Sequence, residues 1–137
     1  MGDERKIFIV DDDADIRDSM RVLLEAAGYT VKDFASATGF LADDDHNGGC
    51  LIADVRMPEM GGMELQEEIV RRGIELPVII ITGHGDVPLA VQAMSAGAID
   101  FIEKPFGGER ILDSVKRALK AGQIRLSADL ESAATLL

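Results

Sequence analysis

Acidic, hydroxyl and ammonium side chains follow four of the short apolar runs in this sequence, either directly or within two residues. The first run ends in three aspartates at positions 11–13, a later one ends in Asp54, and two others lead into Thr82 and Lys104. If the runs are neighbouring parallel strands, their C-terminal ends meet at one edge of a sheet. Crowded carboxylates favour Mg²⁺, while a hydroxyl and an ammonium group can hold phosphate oxygens. The set predicts phosphoryl chemistry, with Asp54 as a nucleophile that forms a mixed anhydride.

The strands that would position these groups are five short apolar runs at 7–10, 30–34, 50–53, 78–81 and 99–102, each followed by helical spacing. This alternation predicts an α/β fold with a five-stranded, doubly wound parallel sheet. The runs at 7–10 and 78–81 are apolar at every position, so both of their faces should be covered, and we expect them to be the central strands. The mixed run that ends at Phe34 fits a sheet edge.

Five helices are predicted between and after the strands. Ser36 can cap the second helix, and glycines at 28, 73, 97 and 122 are expected to end the others. Asp13 and Asp15 stand where a helix cap and a favourable dipole contact would place them. The apolar stripes are Ile16, Met20, Leu23, Leu24 and Ala27; Phe40 and Leu41; Met63, Leu65, Ile69 and Val70; Val87, Ala90, Val91 and Met94; and Ile111, Leu112, Val115 and Leu119.

Beyond Gly122 the apolar positions fit a further helix, with Ser127 able to cap it. We therefore expect a domain at 4–122 and a helical extension at 123–137. The extension would be a linker towards an output domain outside this chain.

Length and composition favour one globular domain. The chain has 137 residues, a formal net charge of −11 and a single cysteine, Cys50. The negative charge argues against direct nucleic-acid binding, and the lone cysteine suits a reducing compartment. Its longest N-terminal apolar run is too short for a signal peptide or a membrane span, which predicts a cytoplasmic protein without a membrane segment.

Four motifs make the sequence resemble a response-regulator receiver domain of two-component signalling. They are Val-Asp-Asp-Asp at 10–13, Asp-Val-Arg-Met-Pro at 54–58, Ile-Thr-Gly-His-Gly at 81–85 and Phe-Ile-Glu-Lys-Pro-Phe at 101–106. The last two motifs, together with Asn-Gly-Gly-Cys-Leu-Ile-Ala-Asp at 47–54, are most similar to receivers of the FixJ type, which precede a helix-turn-helix domain. Receivers of the DctD type, which precede an ATPase module, are next. The resemblance covers about Lys6 to Leu119 and implies a flavodoxin-like, CheY-like sheet of strand order 2-1-3-4-5.

This resemblance implies roles for individual residues. Asp54 would accept phosphate from a sensor histidine kinase, while Asp12, Asp54 and the Arg56 backbone carbonyl would bind Mg²⁺ and Asp11 would assist through water. Thr82 and Lys104 would contact the phosphoryl oxygens, and the Lys104–Pro105 bond would be cis.

The resemblance also implies a switch and a partner surface. Phosphoryl charge could draw the Thr82 hydroxyl inward and open space for the ring of Phe101. This would remodel the face at 87–94 and 99–103, where the phosphorylated family commonly forms homodimers or docks its output domain. The protein would be no enzyme beyond its own phosphorylation and dephosphorylation.

Alternative functions are a stand-alone phosphorelay receiver, a phosphorylation-dead interaction module, and a phosphatase of the haloacid-dehalogenase type. Asp11, Asp13, Thr82 and Lys104 imitate that phosphatase pattern, but Asp54 would then have no role. His46 and His84 lack the paired spacing of metal ligands and are interpreted as surface loop residues.

Overall fold

The structure is a computed structural model that describes the backbone of residues 5–83 and 87–136 and the side chains of residues 5–83 and 87–122. Five strands alternate with five helices. The strands are β1 (Lys6–Val10), β2 (Thr30–Phe34), β3 (Cys50–Asp54), β4 (Val78–Thr82) and β5 (Asp100–Glu103). The helices are α1 (Ala14–Ala26), α2 (Ala37–Ala42), α3 (Gly62–Arg71), α4 (Val87–Ser95) and α5 (Gly108–Leu136).

The sheet is parallel throughout, with the order β2-β1-β3-β4-β5. This order and the edge position of β2 confirm the prediction. β1 and β4 are interior strands, as their unbroken apolar sequences require, but the middle position belongs to β3, in which every residue is buried. The run at 50–53 is also apolar at every position, so apolar continuity alone could not show which interior strand lies in the middle of the sheet.

Alternate residues of the strands lie on opposite faces of the sheet and form two separate hydrophobic cores. One core contains Phe8, Leu51 and Ile80 and packs against residues of α2, α3 and α4. The other contains Ile9, Ile52 and Ile79 and packs against α1 and α5. Both faces of the sheet are therefore covered, and the strand ends remain as the open edge.

Local sequence explains where most helices begin and end. The Asp13 side chain accepts hydrogen bonds from the backbone N–H groups of Asp15 and Ile16, and the Ser36 hydroxyl accepts one from Gly39. Glycines 28, 73 and 97 follow α1, α3 and α4 and adopt positive φ. The predicted caps and these three helix ends are confirmed.

The prediction that the fifth helix stops at Gly122 was wrong. α5 runs without interruption to Leu136, so the expected C-terminal extension is a continuation of α5 and Ser127 does not begin a separate helix. A glycine inside a helix costs only about 1 kcal/mol relative to alanine, and no proline follows it here to block the next turn. None of the described helices is long and apolar enough to cross a membrane.

The apolar stripe predicted for the fourth helix is mostly turned outward. Val87, Val91 and Met94 are exposed, whereas Ala93 supplies the buried contact of α4. His46 also differs from the interpretation as a surface residue, because its ring lies half-buried 4.6 Å from the Phe40 ring and Nε2 is 2.7 Å from the Phe40 carbonyl. His84 lies outside the described residues.

Phe40 is fully buried between the rings of Phe8 and Phe34, at centroid distances of 5.3 and 5.5 Å. Replacement by alanine (Phe40→Ala) should lower the free energy of unfolding by about 3 to 5 kcal/mol, because it removes a buried aromatic and leaves a cavity. Urea unfolding measures this loss. Val22→Ala, at a valine that is 69% exposed, is the control and should change stability by less than about 0.5 kcal/mol. Equal effects of the two substitutions would contradict this account of the core.

Candidate functional site

Four predicted side chains meet at the C-terminal edge of the sheet. Asp54 and Thr82 are the last residues of β3 and β4, while Asp11 and Lys104 directly follow β1 and β5. Lys104 Nζ lies 2.6 Å from Asp54 Oδ2 and 3.8 Å from Asp11 Oδ2. Parallel topology alone brings these residues together from four separate strands.

The loop after β1 fixes Asp11. Its backbone N–H donates to the Phe34 carbonyl at 3.1 Å, and its Oδ1 accepts a hydrogen bond from the Asp13 N–H at 2.9 Å. The other oxygen, Oδ2, is buried and has no hydrogen-bond partner among the described residues. A buried carboxylate oxygen without a hydrogen-bond partner suits a ligand that supplies positive charge.

The loop after β3 holds Asp54 in a similar way. Asp54 Oδ1 accepts a hydrogen bond from the Arg56 backbone N–H at 3.0 Å, and the Val55 N–H donates to the Ile81 carbonyl at 2.8 Å. Asp54 is buried but reaches the surface of the site, because 7% of the residue is exposed. This carboxylate therefore combines a fixed orientation with access from solvent.

Two glycines allow α3 to begin directly against this loop, which the sequence analysis did not recognise. A Cβ atom on Gly62 would lie 2.6 Å from the Asp54 carbonyl oxygen, and one on Gly61 would overlap the Val55 carbonyl oxygen. Only glycine permits such an approach of backbone to backbone. The signal in the sequence was a glycine pair placed between the loop and the first residues of an amphipathic helix.

Asp11, Asp12 and Asp54 form a group whose carboxylate oxygens lie within 4.8 Å of one another. Oxygen ligands at such separations suit a hard cation, and Mg²⁺ needs only one or two carboxylates besides water. The unpartnered Oδ2 of Asp11 supports the same fit. The donor set of these residues therefore fits Mg²⁺, and the magnesium site itself, including the role of the Arg56 carbonyl, stays a prediction.

Burial and charge set the protonation of the site. Burial, with smaller contributions from the charges of Asp54 and Asp12, raises the pKa of Asp11 to about 6, although the Asp13 N–H and Lys104 oppose the shift. Burial lowers the pKa of Lys104, but the hydrogen bond to Asp54 and the charges of Asp54 and Asp11 outweigh it and leave the pKa above its ordinary value. Lys104 therefore carries a positive charge beside Asp11 and Asp54.

Thr82 and Phe101 occupy positions suited to the predicted switch. Thr82 is completely buried, and its hydroxyl oxygen has no hydrogen-bond partner among the described residues. Phe101 pairs with Ile80 across β4 and β5, two residues before Thr82, so Phe101 and Thr82 lie diagonally on the same face of the sheet. Phe101 is half-buried, next to the core that includes Ala93 of α4. The Lys104–Pro105 peptide is cis, as the resemblance implied.

An α/β sheet of this order carries three aspartates, a threonine and a lysine at one edge, a set of groups suited to Mg²⁺ and phosphoryl oxygens. A sequence profile described as "Response regulator receiver domain" matches residues 7–116. The chain belongs to this family, the receiving part of two-component systems, whose members typically bind Mg²⁺.

Individual relatives agree with both predicted resemblances. The transcriptional regulatory protein FixJ of Rhizobium meliloti (strain 1021) is 48% identical over 113 residues, which cover 82% of this chain and 55% of FixJ. The C4-dicarboxylate transport transcriptional regulatory protein DctD of the same strain is 49% identical over 113 residues, covering 82% of this chain and 25% of DctD. The crystal structure of FixJ-N matches with a TM-score of 0.79 and 47% identity, covering 88% of this chain and 96% of FixJ-N. The chain thus spans about half of FixJ and a quarter of DctD.

The raised pKa of Asp11 predicts that the metal-free fold carries an electrostatic cost. An acid whose pKa rises from 3.8 to about 6 on folding destabilises the protein above pH 6, and this cost disappears as the pH falls towards 4. Asp11→Asn should therefore raise the free energy of unfolding at pH 7 by about 2 to 3 kcal/mol in EDTA. The gain should shrink at pH 5, where the wild-type Asp11 is largely protonated.

Urea unfolding at pH 7 and pH 5 tests this effect. Asp15→Asn is a control, because Asp15 is an exposed acid in the first turn of α1. Its effect should stay within about 0.5 kcal/mol. A loss of stability in Asp11→Asn, or a gain that is the same at both pH values, would contradict the electrostatic assignment.

Proposed function

We propose that Asp54 accepts a phosphoryl group from a sensor histidine kinase in the presence of Mg²⁺, and that the added charge controls a transcriptional output domain through the α4/β5 face. One observation carries the proposal. The Asp54 carboxylate is held by the Arg56 N–H on one oxygen and by Lys104 on the other, beside two buried oxygen atoms, Asp11 Oδ2 and Thr82 Oγ1, that lack hydrogen-bond partners among the described residues.

In the proposed reaction, one carboxylate oxygen of Asp54 attacks phosphorus. The bond from phosphorus to the donor's histidine nitrogen breaks, its electrons stay with that nitrogen, and a mixed anhydride forms on Asp54. The Lys104 ammonium, already 2.6 Å from Asp54, is placed to follow the incoming negative charge. Charge-assisted hydrogen bonds of this type strengthen as charge develops.

Mg²⁺, when bound, would neutralise the phosphoryl oxygens and reduce repulsion from the carboxylates. Asp12, Asp54 and the Arg56 carbonyl would hold it, with Asp11 acting through water. Asp11 and Asp54 are buried, and the small exposed area of Asp54 leaves a way for the phosphoryl donor to reach it. The reaction would be limited to the protein's own phosphorylation and dephosphorylation.

The Thr82 hydroxyl would report the new charge to the partner surface. It is buried without a hydrogen-bond partner among the described residues, so a phosphoryl oxygen nearby would offer it an acceptor. A shift of Thr82 towards that acceptor would open space on the face it shares with Phe101. Rotation of the Phe101 ring would then alter the packing beneath α4.

The α4/β5 face has the composition of a partner surface. Val87, Val91 and Met94 expose 64%, 62% and 48% of their area on one helix. Apolar residues grouped in this way favour association with another protein surface. We propose that phosphorylation promotes a homodimer through this face, or docking of the output domain. FixJ and DctD are transcriptional regulators by name, which supports an output of this kind and a cytoplasmic setting.

Two other functions are less well supported. A phosphatase of the haloacid-dehalogenase type would give Asp54 no role, although Asp54 is the carboxylate that lies nearest to the Lys104 ammonium. A stand-alone phosphorelay receiver would use the same chemistry and differs only in lacking an output domain. The similarity to regulators more than 1.5 times longer than the matched segment favours the output-domain alternative.

Asp54→Asn should abolish phosphorylation by acetyl phosphate, because the amide cannot form the mixed anhydride. Intact-protein mass spectrometry should find one added phosphoryl group on the wild type with Mg²⁺ and none in EDTA. Asp15→Asn is the matched control and should be labelled like the wild type. Continued labelling of Asp54→Asn would remove Asp54 as acceptor, and turnover of a phosphate ester without any adduct would favour the phosphatase.

Val91→Asp should prevent dimerisation in the presence of acetyl phosphate and Mg²⁺ while leaving labelling intact, because it places charge in the proposed contact. Sedimentation velocity measures the dimer. Val70→Asp is the matched control, since Val70 is a 68% exposed valine on α3. If Val91→Asp still forms dimers at the wild-type level, the assignment of the surface is contradicted. It is also contradicted if only Val70→Asp fails to form dimers.

A further inference from the structure

A single carboxylate on β2, Asp33, binds two arginines of α1. Arg17 Nε lies 3.1 Å from Asp33 Oδ2, and Arg21 Nη2 pairs with Asp33 Oδ1. Burial raises the pKa of Asp33, but the hydrogen bonds and charges of Arg21 and Arg17 outweigh burial and bring the pKa below its ordinary value. Asp33 is therefore a stable anion that orients both guanidinium groups.

The two arginines use their remaining donors differently. Arg17 Nη1 donates to the Asp11 carbonyl oxygen at 2.7 Å, whereas Arg21 Nη1 donates to the Val31 carbonyl at 3.1 Å. Arg17 thus contacts the peptide group that joins Asp11 to Asp12. Arg21 makes its contact on β2, away from the acidic group.

This contact completes the restraint of Asp11. Its N–H is bound to Phe34, its side chain to the Asp13 N–H, and its carbonyl to Arg17. The orientation of the Asp11 carbonyl also sets the plane of the peptide that leads into Asp12. Packing does not fix the Asp12 side chain, because this residue is exposed, so the direction in which it leaves the chain depends on that peptide plane.

We propose that Arg17, oriented by Asp33, is a positioning residue that presents Asp11 and Asp12 to a divalent cation. The proposal rests on the Mg²⁺ site of the proposed function. Neutralisation matters because an unpaired guanidinium beside the site would repel the cation. Glu25 also pairs with Arg21, at 3.8 Å. The two carboxylates therefore balance the two guanidinium groups, and Arg17 supplies hydrogen-bond geometry with little net charge.

Isothermal titration of the whole chain with Mg²⁺, compared between Arg17→Gln and Arg21→Gln, tests the proposal. Both variants lose one guanidinium contact with Asp33, but only Arg17→Gln loses the bond to the Asp11 carbonyl. Outer-shell partners of metal ligands typically change metal affinity by about 10-fold to 100-fold when removed. Arg17→Gln should weaken Mg²⁺ binding by about tenfold, and Arg21→Gln by less than about twofold.

Thermal unfolding in EDTA separates positioning from general stability. Similar melting temperatures for the two variants, with weaker Mg²⁺ binding confined to Arg17→Gln, would support the proposal. Wild-type Mg²⁺ affinity in Arg17→Gln, or equal losses of affinity in both variants, would overturn it. If Arg17→Gln does not fold, Asp33→Asn decides, because it keeps both arginines and removes the anion. Its Mg²⁺ affinity should fall severalfold, and an unchanged affinity would overturn the proposal.

The titration also separates this proposal from the proposed function. A wild-type chain that binds Mg²⁺ but gains no phosphoryl group from acetyl phosphate would contradict the function of Asp54, while the comparison of Arg17 with Arg21 would still decide the positioning role. A wild-type chain that binds no Mg²⁺ would overturn the positioning role itself.

Discussion

Repulsion among three carboxylates at one edge of the sheet is the constraint on which the rest of the site depends. Asp11, Asp12 and Asp54 offer oxygens within 4.8 Å of one another, and two of these residues are buried. In water such a group would separate, but strands β1 and β3 are neighbours and hold it together. Lys104 offsets part of the charge, while burial, with smaller contributions from the charges of Asp54 and Asp12, still raises the pKa of Asp11. A divalent cation would neutralise this negative charge and so reduce the repulsion that an incoming phosphoryl group would meet.

The scaffold resists that repulsion because its interior strands are packed on both faces. Two hydrophobic cores cover the sheet, so a strand cannot tilt to relieve the carboxylates without opening one of the cores. Around the strand ends, backbone contacts restrict the loops. Gly62 approaches the Asp54 carbonyl, and Arg17 binds the Asp11 carbonyl. Rigidity of the sheet and restraint of the loops together give an acidic site of defined geometry.

The same packing buries little of one helix, α4. α4 buries Ala93 as its fully enclosed residue, whereas Val87, Val91 and Met94 remain outside the core. Leu89 is only partly buried against the same core, so α4 has no fully buried leucine or isoleucine of the kind that α1 and α3 contribute. Phe101 and the buried Thr82 hydroxyl lie on the sheet face beneath it. Thr82 and Phe101 therefore lie between the sheet edge that carries Asp54 and the apolar surface of α4.

The sequence by itself determined the α/β class, the edge position of β2, the helix caps at Asp13 and Ser36, and the four strand ends that carry Asp11, Asp54, Thr82 and Lys104. These follow from local patterns, because strand periodicity, helix capping and the alternation of strands with helices can be recognised from neighbouring residues. Only the tertiary structure decided that the fourth helix turns its valines outward, that α5 continues through Gly122, and that Arg17, held by Asp33, reaches the acidic loop. An apolar stripe shows that a helix has two faces, but the volume left beside the sheet decides which face is buried. Likewise, a long arginine side chain can reach several carbonyl groups, and the packing around it selects one of them.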